Sequence, residues 1–411
     1  MRPWFLVAAV AAPLLIGPPR ARGQGLGPPV AVSRSAAIDS ALRRGGRMRI
    51  AAADTQGAVA GLLAARLYPD PAISAAYSKS VPNYHVAADL PLDLPGVRGV
   101  RMRAASRGVM AARFRLAAER AAVAMEADTA YTRAQAAREI SALSQRNARD
   151  ADSLRRIAEA RRAAGDASDL DVDLATVAAG QVANVAATDS LQYLSAVLDL
   201  QAIMGLTAAG VVVVPSDPLE PPEALPGEGG DRTGPTLPVM AAEAALQAAT
   251  LATVAQRRQR FARPNLTAGL ETGDPTGAES GLLPTFGLAF SLPLFDRNRG
   301  AIATARADEA RARAELSQAV VTSRVELARA RRELAAALTR VERDRLLVDA
   351  AGRVARRALT AYREGAAPLA TVLEAQRNAR DVLAQFITDI AAARIAGAEL
   401  RVLTPAAASI P

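Results

Sequence analysis

The sequence has no cysteine, one lysine, one histidine and few aromatic residues. Without cysteine there is no disulfide, no thiolate metal site and no acylated N-terminal cysteine. The lone histidine, His85, lies in a stretch with no acidic residue at ligand spacing. The chain therefore offers neither a metal site nor a nucleophile and base pair, which argues against an enzyme and calls for no cofactor. Aromatic residues make up 3% of a chain that is 50% apolar, chiefly through alanine. Small side chains at that density suit closely packed helices better than a bulky core. Past the N-terminal segment, no uninterrupted apolar run is long enough to cross a bilayer as a helix, so any insertion must use strands.

What is present is mostly arginine and periodicity. Fifty basic residues against 41 acidic ones give a net charge of +9, and Lys79 is the only lysine. The arginines alternate with Asp and Glu, as in "RADEARARAEL", which reads as solvated helix faces rather than a nucleic-acid surface. Residues 1–23 carry an early Arg2, an apolar run from Trp4 to Ile16, and small Ala21 and Gly23 before a cut near Gln24. That is the pattern of a secretory signal.

The remaining chain repeats itself. "EARRAAGDASDLDVDLATVA" and "AYREGAAPLATVLEAQ" align without a gap when Gly165 is laid on Gly365, matching Ala167 to Ala367, Val172 to Val372 and Ala175 to Ala375. The expected units are a first repeat over 24–206 and a second over 239–403. A Pro/Gly-rich segment, 207–238, separates them and a tail, 404–411, follows. The first repeat holds a helix, two strands over about 71–94, a long helix over 98–164, a tip at 165–168 and a helix over 168–204. The second holds a helix, two strands over about 264–295, a long helix over 298–363, a tip at 364–368 and a helix over 368–402. The first long segment has no proline and, past Gly99 at its start, one internal glycine, Gly108, so it forms a rod of about 100 Å. In the second, Val320, Leu327, Leu334, Val341 and Val348 recur every seven residues with Ser323, Ala330 and Ala337 between them, a coiled-coil seam with small partners.

The strand "TFGLAFSLPLF" places Phe286, Leu288, Phe290, Leu292 and Leu294 on one face and Gly287, Ala289 and Ser291 on the other. A strand with one apolar face and one small or polar face fits a membrane barrel. Four strands cannot close a barrel, and lipid does not tolerate an open edge, so several protomers must pool theirs. Three would supply twelve.

At the tips, Gly165 and Gly365 suit a left-handed helix stop. Ser168 with Asp171 has capping-box spacing, and Pro368 fits a first helical turn. With two β-hairpins, the join "PLFDRNRGAIATARA" and the block "YREGAAPLATVLEAQRNARDVL", the chain resembles the TolC family of outer-membrane efflux channels. It is most similar to the branch serving heavy-metal exporters. The resemblance implies a mostly α fold, with duplicated helical hairpins forming a periplasmic tunnel and four strands per protomer in a shared 12-stranded trimeric barrel. It implies a passive outer-membrane channel that works with a periplasmic membrane-fusion adaptor and an inner-membrane pump of the RND type. Under it, Gly165, Ser168, Asp169, Gly365, Pro368 and Leu369 form the docking tip. Asp171, Tyr362, Thr371 and Glu374 form the gate and constriction, and Phe286, Leu288, Phe290 and Leu292 face lipid. The basic residue expected two positions after the second tip glycine is Ala367, so the closing link differs here. The competing architecture is a periplasmic coiled-coil scaffold or adaptor without membrane strands.

Overall fold

The computed structural model describes residues 30–80, 82–93, 96–206, 212–222, 234–260, 264–272, 281–290, 295 and 297–404. The expected signal segment, the end of the tail, and Leu292 and Leu294 of the expected strand lie outside these residues.

A short strand β1 (Val30–Val32) leads into α1 (Arg34–Arg44) and α2 (Gly46–Arg66). These two replace the single first helix expected from the sequence. The chain breaks at Gly45, whose extended backbone leaves no room for a side chain: a Cβ there would sit 2.4 Å from the carbonyl oxygen of Ala41. Strands β2 (Ala72–Tyr77) and β3 (Tyr84–Pro91) precede the long helix α3 (Val97–Ala163) and its partner α4 (Asp169–Ile203). After β4 (Val213–Pro215) the plan recurs as α5 (Leu237–Arg258), β5 (Asn265–Thr272), β6 (Leu283–Ala289), α6 (Arg299–Arg363) and α7 (Leu369–Leu403).

At ~1.5 Å per residue the 67 residues of α3 span about 100 Å. Each long helix packs on the helix after its tip, α3 on α4 and α6 on α7, and α3 also contacts α2, α5 and α7. The heptad seam explains the α6–α7 contact: Ala330, Leu334, Ala337 and Val341 are buried, and the last two join Ile390 and Ala393 in one apolar cluster.

The four strands β2, β3, β5 and β6 form one antiparallel sheet in that order, so the hairpins of the two repeats meet at β3–β5. Residues paired across antiparallel strands share a face. Pairings Val86↔Leu270, Leu266↔Leu288 and Ala268↔Phe286 put Ile73, Tyr84, Val86, Leu266, Leu270, Phe286 and Leu288 on one side. The other side carries Ser74, His85, Asp89, Thr267, Glu271 and Thr285. His85, which has no acidic residue at ligand spacing in its own strand, meets Glu271 of β5 at 3.4 Å. That is one ion-pairing contact, and among the described residues no group of three or more ligand-type side chains comes together.

Two features depart from the expectation. The "VVVV" run expected in an irregular connection contains β4, which pairs in parallel with β1. Fully buried Tyr131 of α3 secures that pairing: its hydroxyl donates to the Val32 carbonyl at 3.0 Å and accepts from the Ser216 and Asp217 amides at 3.2 Å. Second, α5 is long and apolar enough to cross a membrane by length and composition, with mean hydropathy 1.4. The alanines of α5 raise the average without a run of large apolar side chains. The helix packs between α3 and α6 instead.

Candidate functional site: the paired helical tips

Both tips close by the same backbone device. At the first, the amides of Gly165 and Asp166 donate to the carbonyls of Arg162 and Arg161 at 3.0 and 2.8 Å. At the second, those of Gly365 and Ala366 donate to Tyr362 and Ala361 at 3.0 and 2.7 Å. Gly165 and Gly365 have φ of +84° and +75°. This is the Schellman stop, and it requires a residue at ease in the left-handed region.

Ser168 and Pro368 both stand at the N-cap of the helix that follows, so Pro368 lies one position ahead of its expected place. Ser168 Oγ accepts from the Asp171 amide at 3.2 Å, while Asp171 Oδ2 accepts from the Ser168 amide at 3.1 Å. Asp171, expected in a gating network, is occupied by this capping box within the protomer, and no bond joins it to Tyr362. Asp169 is exposed and pairs with Arg162 across the tip.

Leu369 departs most clearly from its expected place. It was expected on the docking surface, yet it is fully buried with Leu154, Ala158, Ala175, Tyr362 and Val372. The reason is helical spacing: Leu369, Val372 and Ala375 lie on the inner face of α7, whereas Thr371 and Glu374 lie on its exposed face. The large apolar side chain exposed at the tips is Leu170, at 65%.

Tyr362 is buried at 3% exposure, and its hydroxyl has no hydrogen-bond partner. Over its ring, at 4.8 Å from the centroid, lies the guanidinium of Arg161. Arg161 Nη1 also donates to the Tyr362 carbonyl at 2.8 Å, and Nη2 to the Asp166 carbonyl at 3.3 Å. One side chain of the first repeat thus holds both tips. The sequence reading missed Arg161. Its signal was a broken repeat, because the position 200 residues on is Ala361. Further up α3, the hydrogen bond from Arg155 holds the Asp152 carboxyl below its ordinary range.

At the other end of the protomer, Phe286, Leu288 and Phe290 are 81%, 63% and 64% exposed. Among the described residues nothing covers the apolar sheet face, and β2 and β6 are open edges.

Duplicated long-helix hairpins joined to a two-faced sheet define an architecture shared with outer-membrane channels. Residues 237–405, which hold the second repeat with its tip, match the family profile described as outer membrane efflux protein. Over 226 residues the chain is 29% identical to the nickel-cobalt-cadmium resistance protein NccC of Alcaligenes xylosoxydans xylosoxydans. The match covers 55% of this chain and 51% of that relative, so the chain spans about half the length of the curated protein it matches. Among solved structures, a membrane protein from Pseudomonas aeruginosa superposes with a TM-score of 0.77 at 22% identity, covering 90% of this chain and 93% of the other. The outer membrane protein VceC from Vibrio cholerae gives 0.75 at 20% identity over 90% and 96%. CusC gives 0.74 at 19% identity over 91% and 92%. These chains share the fold.

Proposed function

We propose that the chain is the outer-membrane duct of a tripartite efflux system, resident in the outer membrane with its helices in the periplasm. The observation that carries this reading is the sheet, with one continuous apolar face and, among the described residues, two unpaired edges. Lipid accepts such a sheet only when its edges are closed, and three copies pooling four strands each make a 12-stranded barrel. Aromatic side chains sit at both ends of the exposed sheet. The rings of Tyr77 and Tyr84 meet at a tilt, 5.3 Å apart, near the β2–β3 turn, while Tyr68 and Phe295 lie near the helices. Aromatic girdles of this kind flank the apolar band of membrane barrels.

In the trimer the six hairpins form the tunnel wall and their tips its periplasmic mouth. Gly165, Ser168, Asp169, Gly365 and Pro368 shape the surface that meets an adaptor, and Arg161 with Tyr362 holds the mouth together. Three copies of Glu374 around one axis attract cations. Conduction is passive, with energy supplied by an inner-membrane pump. The resistance named for NccC supports divalent metal cations as cargo.

Light scattering of the full-length protein in detergent, followed by single-channel recording in a planar bilayer, tests the reading. A trimer with a small cation-selective conductance supports it. A monomer or dimer that is soluble without detergent and inert in the bilayer favours the periplasmic scaffold.

A further inference from the structure

The α6–α7 seam contains a residue its heptad does not call for. Counting on from Leu334, Ala337 and Val341, the next seam position is Asp344. It is 9% exposed, and its Oδ2 has no hydrogen-bond partner. Opposite it on α7 is Asp389, 4% exposed, which accepts from Arg340 Nε and Gln385 Nε2, both at 2.8 Å. Two buried carboxyls side by side cannot both remain charged without a large penalty.

The duplication shows what this position does. Subtracting 200 from each number turns Asp344 and Asp389 into Ser144 and Asp189 of the first repeat. There, the Ser144 hydroxyl donates a hydrogen bond to the Asp189 carboxylate. The position on the long helix is therefore a donor to the aspartate of the following helix. In the second repeat the donor's place is held by a carboxyl, which donates only when protonated.

We propose that Asp344 and Asp389 form a proton-binding pair, in which Asp344 keeps its proton and donates it to Asp389, and whose deprotonation loosens α6 from α7. The surrounding charges agree. Burial, then the hydrogen bond and charge of Asp389, raise Asp344 above the usual carboxylate range, against the opposing pull of Arg343 and Arg340. Burial also pushes Asp389 upward, but hydrogen bonds from Gln385, Arg340 and Asp344 together hold it below that range. The 212–222 segment contributes the apolar Leu219 to this cluster, while its Asp217 and Glu220 act on Arg394 further along α7. On antiparallel α3, where Asp128 is level with Arg401, the charged residues nearest this height are Arg138 and Glu139. Arg138 is engaged with the Pro215 carbonyl at 2.6 Å.

The sign follows from which state holds the extra proton. Above the unfolded value of about 3.9 the unfolded chain has released the Asp344 proton while the folded chain retains it, so stability falls as pH rises through that window. Asp389 acts oppositely, below about 3.9. The pair itself is independent of the proposed duct; its effect on a tunnel rests on that reading, so both measurements below avoid conduction.

The thermal midpoint of the full-length protein in detergent is followed from about pH 4 to 7 for wild type, Asp344→Ser and Asp344→Asn. Both variants keep a neutral donor, and both are expected to lose most of the wild-type decline. An equal decline in all three overturns the pair. Should either variant fail to fold, the infrared carbonyl stretch of a protonated carboxyl decides on wild type and the remaining variant. A band that persists above the ordinary carboxylate range and disappears in the variant supports the pair; no such band in wild type, or one that survives substitution, overturns it.

Discussion

Replacing Arg161 with alanine should uncouple the two tips. The side chain reaches from α3 to the last turn of α6, two helices that share no extended interface. It gives a 2.8 Å hydrogen bond to the Tyr362 carbonyl, a longer one to Asp166 and a guanidinium stacked on the Tyr362 ring. A hydrogen bond from a charged donor contributes about 1.5–3 kcal/mol, and a partly exposed cation–π contact about 0.5–1 kcal/mol. The Tyr362 carbonyl still accepts from the Gly365 amide after the change, so no buried acceptor is orphaned and the lower end of the sum applies. A loss of ~2 kcal/mol corresponds to a roughly 30-fold rise in the population of separated tips. Hydrogen exchange of the full-length protein reads this at the backbone amides of residues 362–372. Arg161→Lys retains charge and ring contact but not the two-pronged geometry, and should fall between wild type and alanine. Unchanged exchange in Arg161→Ala would refute the idea that this residue fastens the tips. Unchanged exchange only in the lysine variant would assign the effect to charge alone.

Gly365→Ala should cost ~1–2 kcal/mol, because a Cβ is strained at φ +75° although the space around it is nearly open. Thermal unfolding of the variant checks this, and Gly365→Asn should be milder. Leu369→Ala should cost about 2–5 kcal/mol as a fully buried side chain is cut back, whereas truncating exposed Leu170 should leave the thermal midpoint nearly unchanged. Phe286→Arg places a charge on the apolar face, at a cost of roughly 2–4 kcal/mol if the residue lies near the bilayer midplane. The yield of folded protein in liposomes should drop, while the same change at Thr285, on the opposite face, should be tolerated.

Much of this fold is written locally. Long segments without proline, with apolar residues every seven, specify the rods, and Gly165 and Gly365 specify where they stop. The face of the β6 strand is likewise read from alternation alone. What escaped the sequence depends on distant partners. β1 and β4 have three residues each and form only because each supplies the other's hydrogen bonds across 183 positions. Glu271 reaches His85 only through the register that joins the hairpins of the two repeats. Leu369 was misplaced for a different reason: proximity to the tip outweighed the Leu369, Val372, Ala375 spacing that marks an inward face.

The duplication supplies its own internal comparison, and the positions where the repeats disagree carry more information than those where they agree. Agreement at the tip glycines and the seam alanines follows from the geometry of a helical hairpin, which any long-helix protein must satisfy. Disagreement cannot come from that shared geometry. Arg161 answers to Ala361, and the arginine is what bridges the two tips. Ser144 answers to Asp344, and the substitution converts a neutral donor into one that depends on bound hydrogen ion. Had the second hairpin only to stand beside the first, serine would have served in both. An acid in a buried heptad position, where it leaves an oxygen without a partner, makes the packing of the second hairpin, under the proposed pair, answer to pH in a way that the serine of the first does not.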